Sequence, residues 1–405
     1  MEFYTATPKF THEPGLEVMQ ALMARLGDPQ RQLRCVHIAG TNGKGSCAAM
    51  TDAVLRAAGC RTGLFTSPDL VTMTERIRMD GVNIKTSDFA AITTRVKAAC
   101  AGLPEPSYFE KITAAAFLYF AEQRCDYVVL ETGLGGRLDA TNILESPACS
   151  VIMPIGFDHT GVLGSTLSAI AGEKAGILKP GCPAVCAVQE EDALAVIQKA
   201  AQEKSCPLHL VDITNIRPLS HSPAGQVFSY GELESVELSL LGRHQIQNAC
   251  AVIETARTLG VEDAAIRKGL KNAAWPCRFE YIPGAPPFLL DGAHNAHGAA
   301  ALAAGLREYF PEQKFTMIMG VMADKDYTDI LALMEPLAAR FITLAPDSPR
   351  AIPAGELAKM IKTVPAEAVQ SIEEAVALAS AYGDPVCAFG SLYYIGTVRE
   401  KLTAL

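Results

Sequence analysis

A glycine-rich segment, residues 40–46, combines residue types that can bind phosphate. It reads Gly-Thr-Asn-Gly-Lys-Gly-Ser, after an apolar run at 36–39 that predicts a buried strand and before a predicted helix at 47–58. Glycines let backbone N–H groups approach phosphate oxygens, and a helix N-terminus adds partial positive charge. Lys44 supplies a full charge, and the Ser46 hydroxyl can reach a magnesium ion. This order predicts a nucleotide-phosphate loop made of Gly40, Thr41, Asn42, Gly43, Lys44, Gly45 and Ser46.

The segment departs from the common nucleotide-binding pattern at two positions. Ile38 stands where that pattern has glycine, and Gly45 directly follows the lysine where serine or threonine is usual. A glycine-rich turn without a ligand is therefore an alternative. The strand before the loop and the helix after it favour phosphate binding.

Polar side chains follow three predicted strands. Ser67 follows the strand at 62–66, Glu131 follows the one at 126–130, and His159 lies just beyond the one at 150–155. Because carboxyl ends of parallel strands share one edge of a sheet, these side chains are expected near the phosphate loop. A carboxylate there is a usual magnesium ligand. Glu131 could instead cap a turn, and a lone histidine could be structural.

Composition excludes several classes of protein. A chain of 405 residues with 49% hydrophobic and 20% charged residues predicts a globular enzyme of two or three domains. The net charge of −9 argues against binding to nucleic acid or to an acidic membrane. The twelve cysteines lack paired metal spacing and predict reduced core thiols in a cytosolic chain. No signal peptide or membrane span is visible.

The second half of the chain changes character after a proline-rich stretch that begins near Trp275. Strands and helices then alternate to the end, as in a Rossmann-like domain. The predicted fold class is α/β, with a mostly parallel P-loop-type domain over residues 1–280, a linker at 281–285 and a smaller Rossmann-like domain over 286–405. The predicted strand ends of the second domain carry Asp291, His294 and the acidic segment 324–326.

Further motifs in this order resemble the folylpolyglutamate synthase and dihydrofolate synthase family of the Mur ligase superfamily. They are Phe-Thr-Ser-Pro, Glu-Thr-Gly-Leu-Gly-Gly-Arg-Leu-Asp-Ala-Thr-Asn, Phe-Asp-His-Thr, Glu-Lys-Ala-Gly-Ile, His-Gln-x-x-Asn-Ala, Arg-Phe-Glu, Asp-Gly-Ala-His-Asn and Asp-Lys-Asp. The long glycine motif is the most specific. The chain departs from the family at Asp69 (usually His), Thr74 (Phe), Cys277 (Gly) and Ala296 (Pro).

The resemblance implies an ATP-dependent amide ligase that adds L-glutamate to a reduced folate, to dihydropteroate, or to both. The first domain would bind ATP and folate, the second would be the glutamate ligase domain, and the active site would lie between them. An acyl phosphate would form on the substrate carboxylate and be attacked by the glutamate amine. Another Mur-type amino-acid ligase and a non-catalytic nucleotide-dependent binding protein are the alternatives. The first alternative lacks support, since a loop that begins at residue 40 leaves no room for an N-terminal UDP-binding domain.

The resemblance also assigns roles to residues. The implied catalytic residues are Lys44, His159, Lys174, Asp291 and His294. Nucleotide contacts beyond the loop are Asn248, Arg278 and Asp291, and the magnesium ligands at two sites are Ser46, Ser67, Glu131 and His159. From the sequence alone Asn248 could simply belong to a polar helix start, and Lys174 could be a surface lysine. The family implies instead that Lys174 is carbamylated by carbon dioxide, and it allows a bound K⁺. A cytoplasmic monomer is expected.

Overall fold

The computed structural model describes residues 2–5, 15–323 and 327–403. It divides into two compact units, and the chain passes between them more than once. The first unit comprises Met1–Arg217, Ser229–Val236 and Ile246–Ala273. The second comprises Pro218–Phe228, Glu237–Gln245 and Ala274–Leu405.

An eight-stranded sheet forms the centre of the first unit. Its strands are β1 (Cys35–Ala39), β2 (Thr62–Phe65), β3 (Ile77–Met79), β4 (Val82–Asn83), β5 (Tyr127–Glu131), β6 (Cys149–Ile152), β7 (Ala184–Cys186) and β8 (Leu208–Leu210). The order is β4-β3-β2-β5-β1-β6-β7-β8, with β3 and β4 antiparallel at one edge and the other six strands parallel. The mostly parallel sheet predicted for this region is confirmed.

Helices flank this sheet. They are α1 (Glu2–Thr5), α2 (Glu17–Arg25), α3 (Lys44–Ala57), α4 (Thr86–Ala99), α5 (Tyr108–Glu122), α6 (Thr160–Leu163), α7 (Leu167–Ala175), α8 (Glu191–Glu203), α9 (Arg243–Thr258) and α10 (Asp263–Lys271). Helix α3 begins three residues earlier than the sequence predicted, so that Lys44 and Ser46 belong to its first turn. The phosphate loop is correspondingly shorter.

Both faces of the central strands are covered. Every residue of β1 and β5 is buried, which explains why these strands read as continuous apolar runs rather than alternating ones. Residues from α2, α4 and α5 pack with Cys35, Phe65 and Leu130 in one cluster. A second cluster joins Ala39 and Ile152 to α7 and α8. The core therefore fixes the two strands whose ends carry the phosphate loop and Glu131.

The second unit contains a six-stranded sheet. Its strands are β12 (Glu280–Ile282), β13 (Phe288–Leu290), β14 (Phe315–Met319), β15 (Ala338–Thr343), β16 (Ala366–Ala368) and β17 (Val386–Phe389), in the order β12-β13-β17-β14-β15-β16. Only β12 is antiparallel to its neighbour. The helices are α11 (Ala296–Tyr309), α12 (Tyr327–Met334), α13 (Ala354–Met360), α14 (Ile372–Tyr382) and α15 (Leu392–Thr403). This is the Rossmann-like α/β arrangement that the alternating pattern predicted.

Three strands form a separate small sheet in the β-rich stretch predicted between 208 and 240. They are β9 (Ile216–Ser222), β10 (Gly225–Tyr230) and β11 (Leu233–Leu238), in the order β11-β10-β9. The predicted linker at 281–285 begins inside β12. The predicted domain boundaries otherwise stay predictions.

Two further properties concern the chain as a whole. All twelve cysteines are free thiols, and most are buried. In the described ranges, no helix combines the length and apolar character needed to span a bilayer.

Candidate active site

The phosphate loop is held by the chain beyond β6. The backbone N–H groups of Thr41 and Asn42 both donate to the Pro154 carbonyl, at 2.9 and 3.2 Å. The Thr41 hydroxyl donates to the Gly156 carbonyl and accepts from the Gly156 N–H, each at 3.1 Å. The first half of the loop is therefore held in place by the segment that follows β6. The second half runs into the first turn of α3, where backbone N–H groups lack acceptors within the helix.

Gly43 joins the loop to α3 in a left-handed conformation, with φ of 81°. A Cβ atom at this position would lie 2.5 Å from Asn248 Oδ1, so a larger residue would displace the buried Asn248 side chain. Asn248, a predicted nucleotide contact, is thus placed against the loop by α9. Lys44 Nζ lies 3.3 Å from the Thr41 carbonyl oxygen, which turns its ammonium group back over the loop.

Glu131 ends β5, directly beside β1, where it is paired in register with Ile38. Its side chain is buried, and its Oε2 accepts a 3.0 Å hydrogen bond from the Ser67 N–H. Burial raises the pKa of Cys47 to about 12, and the negative charge of Glu131 adds to this rise. Glu131 therefore lies close enough to the first turn of α3 for its charge to be felt at Cys47.

The predicted metal ligands are only partly brought together by contacts that the structure gives. Ser67 and Glu131 touch, and Ser46 is buried in the adjacent first turn of α3. His159 has a left-handed backbone conformation, and its Nε2 lies 3.9 Å from Asp158 Oδ2. No group of three or more His, Cys, Asp or Glu side chains in the described ranges could hold a metal. A site here would depend on serine hydroxyls and the single carboxylate.

Lys174 lies at the end of α7 and is buried, with 3% of its surface exposed. Its Nζ donates a 2.8 Å hydrogen bond to the Gly40 carbonyl oxygen, at the start of the phosphate loop. Burial lowers the pKa of Lys174 to about 7, and the nearby charge of Lys44 contributes. The alternative of an ordinary surface lysine is wrong, because the side chain is buried and its amine is covered by the Gly40 carbonyl.

The long glycine motif packs directly on the turn that carries Lys174. The Arg137 N–H donates to the Glu173 carbonyl at 2.7 Å. A Cβ atom on Gly136 would lie 2.8 Å from that oxygen and 3.0 Å from the Lys174 carbonyl oxygen. The motif is folded by Asp139, whose Oδ2 accepts the N–H groups of Gly133 and Leu134, at 2.9 and 2.8 Å. The sequence interpretation assigned no role to Asp139, although a carboxylate within a glycine-rich turn is a recognisable anchor for backbone N–H groups.

In the second unit, the predicted residues cluster at the end of β13. Asp291 accepts backbone hydrogen bonds at both oxygens, 2.7 Å from the Phe279 N–H and 2.7 Å from the Ala293 N–H. Burial raises its pKa, while the positive charge of Arg278 opposes the rise. His294 Nδ1 lies 2.8 Å from the Gly292 carbonyl oxygen, which fixes the proton on Nδ1. Their predicted roles toward nucleotide and glutamate stay predictions. The predicted segment 324–326 lies outside the described residues.

Comparisons with known proteins give matches over nearly the whole chain. The family model described as Mur ligase middle domain matches residues 38–256, and that described as Mur ligase, glutamate ligase domain matches 277–392. The dihydrofolate synthase/folylpolyglutamate synthase of Bacillus subtilis is 39% identical over 97% of this chain and 96% of its own length. The chain belongs to the folylpolyglutamate synthase/dihydrofolate synthase family of Mur ligases. It is an ATP-dependent ligase of the glutamate-adding type, as predicted.

Solved structures of family members agree. The Mycobacterium tuberculosis folylpolyglutamate synthase complexed with ADP aligns with a TM-score of 0.90 at 31% identity, over 97% of this chain and 96% of the other. The Escherichia coli FolC in complex with DHPP and ADP aligns with a TM-score of 0.89 at 30% identity, over 100% and 96%. The two-domain α/β fold expected from the resemblance is thereby confirmed.

The structure shows the local setting of three departures from the family pattern. Asp69 Oδ1 accepts a 2.5 Å hydrogen bond from Arg76 Nε, an ion pair that closes the loop following Ser67. Cys277 has φ of 58°, a left-handed conformation that glycine adopts without strain. Ala296 is the first residue of α11, after the cap residue Asn295, and proline is favoured at that position. Glycine at 277 and proline at 296, the usual family residues, would thus suit the same backbone.

Proposed function

We propose that this ligase adds L-glutamate both to dihydropteroate and to a reduced folate, through an acyl phosphate. The observation that carries the ATP-dependent step is the phosphate loop itself, with Lys44 and Ser46 in the first turn of α3 and Glu131 at the end of the adjacent strand. The double substrate range is supported by the relative from Bacillus subtilis, which is named for both activities. It is also supported by the Arg-Leu-Asp form of the glycine motif at 137–139.

The reaction needs activation because a carboxylate is a poor electrophile. One carboxylate oxygen would attack the γ-phosphorus of ATP, and ADP would leave. The uncharged amine of glutamate would then attack the acyl carbon, the C–O bond to phosphate would break, and the amine would lose a proton to solvent. Both reactants of the first step are anions, so Lys44 would offset their repulsion, and the N–H groups of α3 would orient the phosphates.

Magnesium is proposed at the edge formed by β1, β2 and β5. Ser46 and Glu131 would hold the ion on the nucleotide side, and Ser67, Glu131 and His159 would hold a second ion near the acyl phosphate, as the family implies. Their fit is supported by the Ser67–Glu131 contact and by the oxygen donors, which magnesium prefers. When bound, the ion supplies positive charge that neutralises phosphate oxygens. No ligand residues are assigned to K⁺, which stays a prediction.

Lys174 is proposed to carry a carbamate. Its neutral amine would add to carbon dioxide, forming an N–C bond and releasing one proton to solvent. A pKa lowered to about 7 provides the neutral amine at physiological pH. Lys174→Ala is expected to be nearly inactive, with partial recovery in added acetate, whereas exposed Lys199→Ala should retain activity. Full activity of Lys174→Ala would exclude the carbamate from the reaction.

One assay tests the substrate proposal. The enzyme is mixed with ATP, magnesium and glutamate, and with dihydropteroate, tetrahydrofolate or a UDP-muramyl peptide. Mass spectrometry of the products should show glutamate added to the two pterins and not to the peptide, with ADP and phosphate released. Addition of glutamate to one pterin alone would restrict the substrate range to that pterin. Addition only to the peptide would favour another Mur-type ligase. Nucleotide binding without any product would favour a binding protein.

The proposed setting is a cytoplasmic monomer that binds neither nucleic acid nor membranes. The twelve free thiols suit a reducing compartment, and the net charge of −9 opposes polyanion binding. Analytical ultracentrifugation of the purified protein measures its oligomeric state and should show a monomer.

A further inference from the structure

His37 lies in the middle of β1, between β5 and β6, and its side chain is completely buried. Its Nε2 lies 2.7 Å from the Thr141 hydroxyl oxygen. Within the described residues, its Nδ1 is buried without a hydrogen-bond partner. Burying an unpaired polar atom costs about 1–3 kcal/mol, so an apolar residue would be cheaper in a strand that serves only as core. This free-energy cost indicates that His37 has a role beyond packing.

The proton positions follow from the partners of Thr141. Its hydroxyl donates to Asp139 Oδ1 at 2.5 Å, and its backbone N–H donates to the same oxygen at 3.0 Å. Asp139 Oδ2 already accepts two further N–H groups, so this carboxylate acts only as an acceptor. Burial raises the pKa of Asp139, but these four donors oppose that rise. Since the single hydroxyl proton of Thr141 goes to Asp139, Nε2 of His37 must carry the proton that Thr141 accepts.

His37, Thr141 and Asp139 form a chain of hydrogen bonds, here called the His37 relay. The relay ends on the N–H groups of Gly133 and Leu134. The same glycine motif continues to Arg137, whose N–H contacts the turn that carries Lys174. Lys174 Nζ in turn contacts the carbonyl of Gly40, three residues after His37. The contacts thus close a ring that begins and ends on the strand leading to the phosphate loop.

We propose that His37 is a positioning residue for the ligase reaction, holding the glycine motif, and through it Lys174, in a fixed place relative to the phosphate loop. The imidazole does not exchange protons with substrate. It acts as a neutral Nε2–H donor that orients the Thr141 hydroxyl and therefore the Asp139 carboxylate.

Substitutions separate this role from packing. His37→Leu introduces an apolar side chain of similar size and removes the donor, and we expect kcat to fall roughly 10- to 100-fold with KM for ATP nearly unchanged. His37→Gln, whose amide can donate to Thr141, should recover most of kcat. Thr141→Val should resemble His37→Leu, and the double variant should be no worse than the poorer single variant. His209→Leu, on exposed β8 of the same sheet, is the matched control and should keep full activity.

Nuclear magnetic resonance can measure the protonation state of His37 in the relay without any enzymatic turnover. In ¹⁵N-histidine-labelled full-length protein, the His37 ring should be neutral with its proton on Nε2 from about pH 5 to about pH 8. Burial lowers the pKa of His37 to about 3, in keeping with a neutral ring. In Thr141→Val the Nε2-bound proton should exchange faster with water. Because this arm needs no substrate, an error in the substrate assignment would not affect it.

Results of either experiment could overturn the proposal. One is a proton on Nδ1, or a charged ring, in the spectra of the wild-type protein. The other is a folded His37→Leu variant with unchanged kcat, or a loss of kcat that is equal in His37→Leu and His37→Gln and follows their melting temperatures. A recovery of kcat in His37→Gln at a melting temperature no higher than that of His37→Leu would support positioning over packing.

Discussion

Lys174 Nζ lies 2.8 Å from the carbonyl oxygen of Gly40, so the amine at the end of α7 contacts the first residue of the phosphate loop. This contact joins two segments that lie far apart in the sequence. It places a buried amine beside the residues that bind phosphate. The ionisation of Lys174 therefore depends on its burial against the loop and on the charge of Lys44 in the loop.

The first prediction concerns the stability of the protein against pH. Burial lowers the pKa of Lys174 to about 7, whereas an unfolded lysine has a pKa of about 10.4. Between these values the unfolded chain binds a proton that the folded chain does not, so this residue makes unfolding costlier as pH rises. Lys174→Met should therefore be more stable than wild type at pH 7. That advantage should shrink toward pH 10, by at most about 1.4 kcal/mol per pH unit.

Urea unfolding in carbon-dioxide-free buffer at several pH values measures this difference. Lys199→Met, at an exposed position of α8, should show a constant and small difference over the same range. A Lys174→Met advantage that does not change with pH would mean that the amine is not desolvated in solution.

The second prediction is that Lys44→Ala abolishes turnover while the protein stays folded. The side chain lies over the loop rather than in the core, so its loss should cost charge stabilisation and little packing. A barrier increase of roughly 3 kcal/mol or more is expected. Release of ADP is the measurement, with Lys85→Ala on the surface as the control. Near-normal ADP release by Lys44→Ala would disprove the phosphate-loop assignment.

The third prediction concerns magnesium. If Glu131 and His159 hold the metal, then Glu131→Gln and His159→Ala should each raise the magnesium concentration required for half-maximal activity. Glu131→Gln should have the larger effect, because Glu131 is buried and touches Ser67, whereas the His159 ring is half exposed. A titration of activity against magnesium measures both. A lower melting temperature with an unchanged titration would show that the two residues are structural.

The fourth prediction tests the strained position of Cys277. Its φ of 58° suits glycine, so Cys277→Gly should be more stable than Cys277→Ala by about 1 kcal/mol. Both variants lose the buried sulfur, and the comparison therefore isolates the backbone. At Cys387 in strand β17 the order should reverse, because glycine weakens a strand. Melting temperatures of the four variants decide, and equal stability of the two Cys277 variants would mean that the strain is absent.

The sequence predicted the strand ends well, because the motifs that carry polar residues follow apolar runs. For this reason Glu131 is expected at the same edge of the sheet as the phosphate loop, and the structure pairs Ile38 with Glu131 on adjacent strands. The predicted start of α3, at residue 47, is three residues too late. Gly45 resembles a loop residue in the sequence, but the structure includes it in the first turn of the helix. Propensity alone does not show that a helix can begin at Lys44.

Two features could not be predicted from local patterns. The environment of Lys174 depends on the Gly40 carbonyl and the glycine motif, which reach α7 only through tertiary packing. The role of His37 was missed because a strand buried on both faces shows no alternation that would mark an unusual position. A histidine inside such a run itself indicates a candidate functional position, because a buried imidazole must form a hydrogen bond or destabilise the fold.

The loop after Ser67 has a consequence for motion. The carboxylate of Glu75 accepts the N–H groups of Leu70, Val71 and Thr72, at 2.8, 3.1 and 2.8 Å. These amides lie in a surface segment and share one acceptor side chain, so rotation of the Glu75 carboxylate away from the loop would expose all three to solvent at the same time. Their hydrogen exchange should therefore be correlated rather than independent from residue to residue.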